Sequence, residues 1–211
     1  MLTVTDLQCI RGYNHLFNSL SISLSAGELL EVRGDNGRGK SSLIKILAGL
    51  LQPLAGKILW NGASITENLE DWHEKIAYLG HKSGLNDSLT PFENIQFWLQ
   101  LNSIPHTIAS ISEILEDFVL GAFAQSPSRV LSAGQNRRVA LARVLLSQKL
   151  IWLLDEPFTA LDRNAILFFS KHIIGHCQAG GIVVMSSHQS GLLLNGYSRK
   201  LRLERGNHVL V

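Results

Sequence analysis

Gly34 to Ser41 read GDNGRGKS, between the apolar stretch ELLEVR at 28–33 and the sequence SLIKILAGL at 42–50. This octapeptide matches G-x-x-x-x-G-K-S, the pattern of a phosphate-binding loop. Its glycines allow backbone angles in which successive N–H groups point at one anion. The helix expected from Lys40 directs its positive dipole end at the same anion. The order strand, loop, helix therefore predicts an α/β nucleotide-binding fold.

Each position of the loop has an expected role in binding ATP. Lys40 supplies a positive charge for the β- and γ-phosphates, and the Ser41 hydroxyl is a hard oxygen ligand of the kind that Mg²⁺ requires. The backbone of the loop and the start of the helix are predicted to surround the phosphates, at Gly34, Asp35, Asn36, Gly37, Arg38, Gly39 and Ser42.

Two acidic residues follow the apolar strand LIWLLD at 150–155. Asp155, at the strand end, is predicted to hold the Mg²⁺ shell, and Glu156 to polarise a water for attack on the γ-phosphate. Two solvated acids would be the simpler interpretation if the pair stood alone, but the phosphate-binding loop upstream favours the catalytic one.

His188 follows the strand IVVMSS at 182–187, at an edge where open α/β sheets bind ligands, and is expected to contact the γ-phosphate.

The sequence LSAGQ at 131–135 predicts a second anion site. Ser132 and Gln135 match a capping box, so a helix is expected to begin here, and Ser132 and Gly134 lie at its N-terminus. One ATP cannot contact both this helix and the phosphate-binding loop of one compact chain if the two face different ways. We therefore expect two chains arranged head to tail, with each ATP between the loop of one and LSAGQ of the other.

Composition limits the remaining possibilities. The formal net charge of the 211-residue chain is +2, which does not favour nucleic acid as a partner, and there are two cysteines, Cys9 and Cys177. No apolar run approaches the roughly 18 residues needed to span a bilayer, so a soluble or peripheral protein is expected. A single domain is predicted over 1–211, with a core at about 1–85 and 147–211 and a helical insert at about 86–146.

Three local patterns refine this layout. Thr90-Pro91-Phe92-Glu93 is a capping box that predicts the start of a helix, and 108–120 is a second amphipathic stretch. The segment LRLERGNHVLV at 201–211 predicts a hairpin that turns near Gly206.

The motifs, in this order and together with FTALD at 158–162, resemble the ATP-binding cassette (ABC) family across nearly the whole chain. That resemblance implies a P-loop NTPase nucleotide-binding domain with an antiparallel β subdomain and an inserted helical subdomain. It also implies that Ser132, Gly134 and Gln135 form the signature contact with ATP. Asp162 would belong to the D-loop and contribute to nucleotide binding, and His188 would be the switch histidine.

Two positions depart from the usual pattern of that family. Arg11 stands where an aromatic side chain commonly stacks on adenine, and a planar guanidinium can also stack on a ring. His81 follows the strand IAYLG at 76–80, where the family commonly has a glutamine that touches Mg²⁺ and the attacking water. We expect His81 to take that role, with a tolerated polar replacement as the alternative.

Within that family, several short stretches of the sequence resemble the CcmA group, the ATP-binding subunits of the heme exporter of cytochrome c maturation. The matching stretches are ILWNG, YLGH, LTPFEN, LSAGQNRRVALAR and DEPFTALD. This implies a peripheral ATPase on the cytoplasmic face of the bacterial inner membrane, with membrane subunits of the CcmB, CcmC and CcmD type. ATP hydrolysis would then serve the release of the heme-loaded chaperone CcmE.

Three other functions would also be consistent with a phosphate-binding loop. The ATPase of another small ABC transporter remains open. A cassette protein of DNA repair or translation is disfavoured, because 211 residues leave no room for a second cassette or a long coiled coil. A GTPase is disfavoured because the guanine-reading motif N-K-x-D is absent from the sequence.

Overall fold

The computed structural model describes residues 1–187, 194, 196–204 and 207–210. Within these residues two β-sheets are surrounded by helices. The strands are β1 (Leu2–Arg11), β2 (Asn14–Leu24), β3 (Leu29–Arg33), β4 (Ala55–Trp60), β5 (Ala63–Ser64), β6 (Ile76–Leu79), β7 (Ile151–Asp155), β8 (Ile182–Ser186), β9 (Ser198–Glu204) and β10 (Asn207–Leu210). The α-helices are α1 (Lys40–Leu47), α2 (Leu69–Lys75), α3 (Pro91–Leu101), α4 (Ile108–Asp117), α5 (Ala133–Leu146) and α6 (Arg163–Gln178).

The larger sheet carries the strands predicted around the phosphate-binding loop. Its order over the described residues is β10-β9-β3-β8-β7-β6. Pairing is parallel from β9 to β6, and β10 is antiparallel to β9. The hairpin predicted for the C-terminal segment is therefore confirmed, while its expected turn residue, Gly206, lies outside the described residues. This strand order brings the carboxyl ends of β3, β7 and β8 to the same edge.

Both faces of the larger sheet are buried, which explains why its strands are continuous apolar runs. In β7, Ile151 and Leu153 pack into a core shared with α1 and the smaller sheet. Trp152 and Leu154 point to the opposite face, into a core shared with α3, α4, α5 and α6. Successive side chains of a strand alternate between faces, so one short strand contributes to both cores.

The smaller sheet is antiparallel, with the order β2-β1-β4-β5 among the described residues. Fully buried side chains such as Phe17 and Leu20 join it to the core around α1. This agrees with the antiparallel β region that the family resemblance implied.

The helices between β6 and β7 form the predicted insertion. Thr90 and Glu93 make a capping box at the start of α3, as expected from the sequence, and Ser132 and Gln135 make another at the start of α5. The second amphipathic stretch, expected over 108–120, ends as α4 at Asp117. Helix α2 was not predicted.

Candidate functional site

The phosphate-binding loop runs from the end of β3 to the start of α1. Gly34 has a φ of 142°, and a Cβ at this position would lie 2.5 Å from the carbonyl oxygen of Leu203. No other residue type fits there without moving β9. Gly39, with a φ of 96°, is the N-cap of α1 and offers no side-chain cap. The first turn of α1 therefore presents its N–H groups to the loop, as an anion site requires.

Lys40 folds over the loop that precedes it. Its Nζ donates hydrogen bonds to the carbonyl oxygens of Gly34 at 2.7 Å and Asp35 at 3.0 Å. Burial lowers the pKa of this amine, and the carboxylates of Glu156, Asp155 and Asp35 oppose that shift. The ammonium group is thus held at the loop by polar and acidic neighbours, where a phosphate would be its counter-ion.

Two of the three residues predicted to contact Mg²⁺, Ser41 and Asp155, are hydrogen-bonded to each other. The Ser41 hydroxyl donates to Asp155 Oδ1 at 2.9 Å, and the Ser186 hydroxyl donates to the same oxygen at 2.7 Å. Asp155 is 1% exposed, and its Oδ2 is buried without a hydrogen-bond partner in the described part of the chain. A buried carboxylate oxygen beside a serine hydroxyl fits a hard cation, because Mg²⁺ is bound through few protein oxygens and the substrate phosphates.

Glu156 lies one residue beyond that pair in an unusual backbone conformation. Its φ is 52°, and its N–H donates to the Ser186 hydroxyl at 2.8 Å. The Thr159 hydroxyl donates to Glu156 Oε2 at 3.3 Å, and His81 Nδ1 lies 3.9 Å from the same oxygen. The side chain of His81 is 70% exposed. The structure therefore brings two of the three predicted catalytic side chains, His81 and Glu156, close together.

Lys40, Ser41, His81 and Glu156 all line one cleft of about 560 Å³, within the size range of small-molecule sites. Arg11, at the end of β1, forms one wall, where the sequence analysis placed the adenine-binding residue. The other lining residues are Leu16, Asn36, Gly37, Gly39, Lys40, Ser41, Ser42, His81 and Glu156. Asp35 and Arg38 point outward and form an ion pair at 3.9 Å.

The LSAGQ segment at 131–135 lies outside this cleft. None of its residues is among the described residues that line this cleft. A Cβ on Gly134 would lie 2.5 Å from the carbonyl oxygen of Ala160, so this glycine allows α5 to begin against the segment 157–162. Asp162, expected to bind the nucleotide, caps α6 through the N–H of Ala165 at 2.9 Å and pairs with Arg138.

His188, which was expected to contact the γ-phosphate, lies outside the described residues. Two other residues of the site were missed by the sequence analysis. Ser186 joins Asp155 to Glu156, and the signal available for it was only the polar end of an apolar strand. Arg137, in α5, donates to the backbone carbonyls of Glu156 and His81. The sequence pattern that could have indicated it was an arginine close to the apolar stretch that follows LSAGQ.

Comparison with known proteins agrees with this geometry. The model of the family described as ABC transporter matches residues 17–159. Two relatives are named cytochrome c biogenesis ATP-binding export protein CcmA. The one from Vibrio cholerae is 41% identical over 96% of this chain and 98% of its own length, and the one from Dechloromonas aromatica is 41% identical over 96% and 100%. A putative ABC transporter ATP-binding protein from Pyrococcus furiosus superimposes with a TM-score of 0.82 at 26% identity, covering 96% of each chain.

No helix among the described residues is both long enough and apolar enough to cross a membrane.

Proposed function

Because this chain belongs to the ABC transporter family of ATPases, we propose that it hydrolyses ATP for the membrane complex that exports heme in cytochrome c maturation. The observation that carries the chemistry is the convergence of Lys40, Ser41, Asp155, Glu156 and His81 on one cleft edge. The observation that carries the biology is the 41% identity to CcmA proteins over nearly the whole chain.

In this proposal the loop and Lys40 bind the β- and γ-phosphates of ATP. Ser41 and Asp155 would hold Mg²⁺, which when bound offsets phosphate charge. Glu156 accepts a proton from the water that attacks the γ-phosphate, and its backbone, held by Ser186, keeps the carboxylate at the cleft. His81 lies beside Glu156 and takes the position of the glutamine that the family commonly has.

The proposal includes a homodimer. The N-terminus of α5 is away from the cleft of its own chain, so Ser132, Gly134 and Gln135 are proposed to contact the ATP held by a second copy. Asp162 lies beside this surface and would approach the same interface. Closure of the dimer would then depend on ATP at both clefts.

The proposed assembly consists of this subunit with membrane subunits of the CcmB, CcmC and CcmD type, at the cytoplasmic face of the bacterial inner membrane. Hydrolysis would drive release of heme-loaded CcmE. The names of the relatives support cytochrome c biogenesis and export for those proteins, and their similarity to this chain supports the extension.

Complementation tests this assignment. In a bacterium that lacks its own CcmA, this chain should restore covalent cytochrome c and the release of heme-loaded CcmE, and it should co-purify with CcmB. Lys40→Ala should fail, whereas Lys45→Ala, on the same helix but outside the cleft, should succeed. Co-purification with an unrelated membrane subunit, without restored cytochrome c, would indicate another small ABC transporter.

A further inference from the structure

Arg137 is a buried charged side chain whose guanidinium donates to five backbone carbonyls. It is 4% exposed and lies in the second turn of α5. Its guanidinium reaches the carbonyl oxygens of Asp155 at 2.6 Å, Glu156 at 2.8 Å and Pro157 at 3.3 Å. It also reaches those of Gly80 at 2.8 Å and His81 at 3.4 Å. One side chain therefore holds the loop after β6 and the loop after β7.

This arrangement uses what distinguishes arginine from lysine. A guanidinium offers five N–H donors in a planar fork, so it can serve several carbonyls at fixed angles. Burial lowers the pKa of Arg137 to about 10, which leaves it charged at neutral pH, and the carboxylates of Asp155 and Glu156 favour that charge. The charged form is also the form that donates all of these hydrogen bonds.

The hydrogen bonds restrict the residue that carries the proposed general base. Glu156 has a φ of 52°, a strained conformation for a residue with a side chain. Its N–H is held by Ser186 and its carbonyl by Arg137. With both ends of the residue held, the Cα–Cβ bond has a fixed direction toward the cleft. The carbonyl of His81 is held by the same guanidinium.

We propose that Arg137 is a positioning residue for hydrolysis, which sets the placement of Glu156 relative to His81 by holding the backbone of both loops. Because Arg137 stands on the helix that begins after Ser132, the orientation of α5 and the geometry of the cleft change together. This inference rests on the proposed function, since it takes Glu156 as the group that activates water.

The same helix offers a matched control. Arg143 is 9% exposed, and burial lowers its pKa to about 10 as well. It donates to the carbonyl oxygen of Gly84 at 3.0 Å and to Asn94 at 3.0 and 3.1 Å, and these acceptors belong to the loop after β6 and to α3. Arg137→Met and Arg143→Met each remove one buried guanidinium and retain an apolar stem, so both should lower thermal stability.

The test is single-turnover ATP hydrolysis by the purified chain, together with the Kd for ATP and the Tm. Misplacement of a catalytic group by about 1 Å costs on the order of a hundredfold in rate. We therefore expect Arg137→Met to lose tenfold to a hundredfold in hydrolysis with an ATP affinity close to that of the unaltered chain. Arg143→Met should keep its rate at a temperature where it is folded. Equal losses of rate in both variants, or no loss in Arg137→Met, would overturn the proposal.

Arg137→Lys keeps the charge and loses the fork, so it covers the case in which the methionine variant does not fold. Measured at a temperature where it is folded, it should hydrolyse ATP more slowly than the unaltered chain, and an unaltered rate would refute the positioning role. Glu156→Gln, measured in parallel, separates the two hypotheses. If Glu156→Gln hydrolyses ATP normally, the proposed function is wrong; if it is inactive and Arg137→Met is normal, only the positioning role fails.

Discussion

Replacing Ser186 by alanine should slow ATP hydrolysis while the chain still folds. The Ser186 side chain is fully buried, donates to Asp155 Oδ1 at 2.7 Å and accepts from the N–H of Glu156 at 2.8 Å. Alanine fits the same space and makes neither bond. Asp155 then keeps the Ser41 hydroxyl as a donor and loses the Ser186 hydroxyl, and the strained backbone of Glu156 loses the acceptor that holds its N–H.

The expected loss of stability follows from these two bonds. A hydrogen bond to a charged group contributes about 1.5–3 kcal/mol and a neutral one about 0.5–1.5 kcal/mol. The free energy of unfolding should therefore fall by about 2–4.5 kcal/mol. In a chain of this size each kcal/mol corresponds to about 2–4 °C in Tm, so the Tm should fall by about 4–18 °C.

Ser147→Ala is the control for this prediction. Ser147 is also buried, donates to the carbonyl oxygen of Val144 at 2.6 Å and accepts from the N–H of Lys149 at 3.3 Å, outside the cleft. Its loss should lower stability by about 1–3 kcal/mol, because both bonds are neutral. Single-turnover hydrolysis, measured below the Tm of both variants, should be slowed in Ser186→Ala alone. An unaltered rate in Ser186→Ala would refute the argument that this hydroxyl fixes Glu156.

Three further outcomes are expected. Lys40→Ala should abolish hydrolysis, because the loop loses its buried ammonium group, and phosphate release from this variant at the normal rate would contradict the phosphate-binding assignment. Glu156→Gln should bind ATP, fail to hydrolyse it and accumulate as a dimer in sedimentation with ATP, since an amide cannot accept the proton; a monomer that hydrolyses ATP would be evidence against both roles. Burial lowers the pKa of His176, whose ring stacks on Trp152 with the ring centres 3.9 Å apart. The folded chain therefore favours the neutral histidine, so its contribution to stability is fully present above the unfolded-state pKa of about 6.5 and is lost as the pH falls below that value. Calorimetry between pH 7.5 and 5.5 should therefore show a steeper fall of Tm in the unaltered chain than in His176→Gln, and parallel profiles would show that this histidine does not contribute.

Much of the cleft could be predicted because its residues belong to motifs of fixed spacing. Lys40 and Ser41 follow the glycines directly, and Asp155 and Glu156 end a strand whose apolar run is unmistakable. Parallel pairing of β7 with β8, and of β8 with β3, then brings these strand ends together. The motif residues could therefore be identified from the sequence, and the parallel pairing expected for such strands explains why they lie at one edge of the sheet.

The residues that were missed depend on contacts between distant segments. Arg137 meets Gly80 across a separation of 57 residues, and Ser186 meets Asp155 across 31. An arginine on a helix usually has a solvated head, and nothing in its neighbours along the chain indicates that two loops will close over it. Helix α2 was missed for a related reason, since only Trp72 of its seven residues is buried and a single apolar position has no period.

The first two turns of α5 connect the proposed ATP contact of a partner to the catalytic residues of the same chain. Gly134 packs against the carbonyl of Ala160, Arg137 holds the carbonyl of Glu156, and Arg138 pairs with Asp162. Three successive parts of the helix thus contact one short segment that begins at the proposed general base. Such a segment cannot shift relative to α5 without losing buried hydrogen bonds of a charged group, which are among the more costly to break. An ATP bound against Ser132 from a second copy would therefore influence the placement of Glu156 through the backbone, and hydrolysis at one cleft would depend on the occupancy of the other.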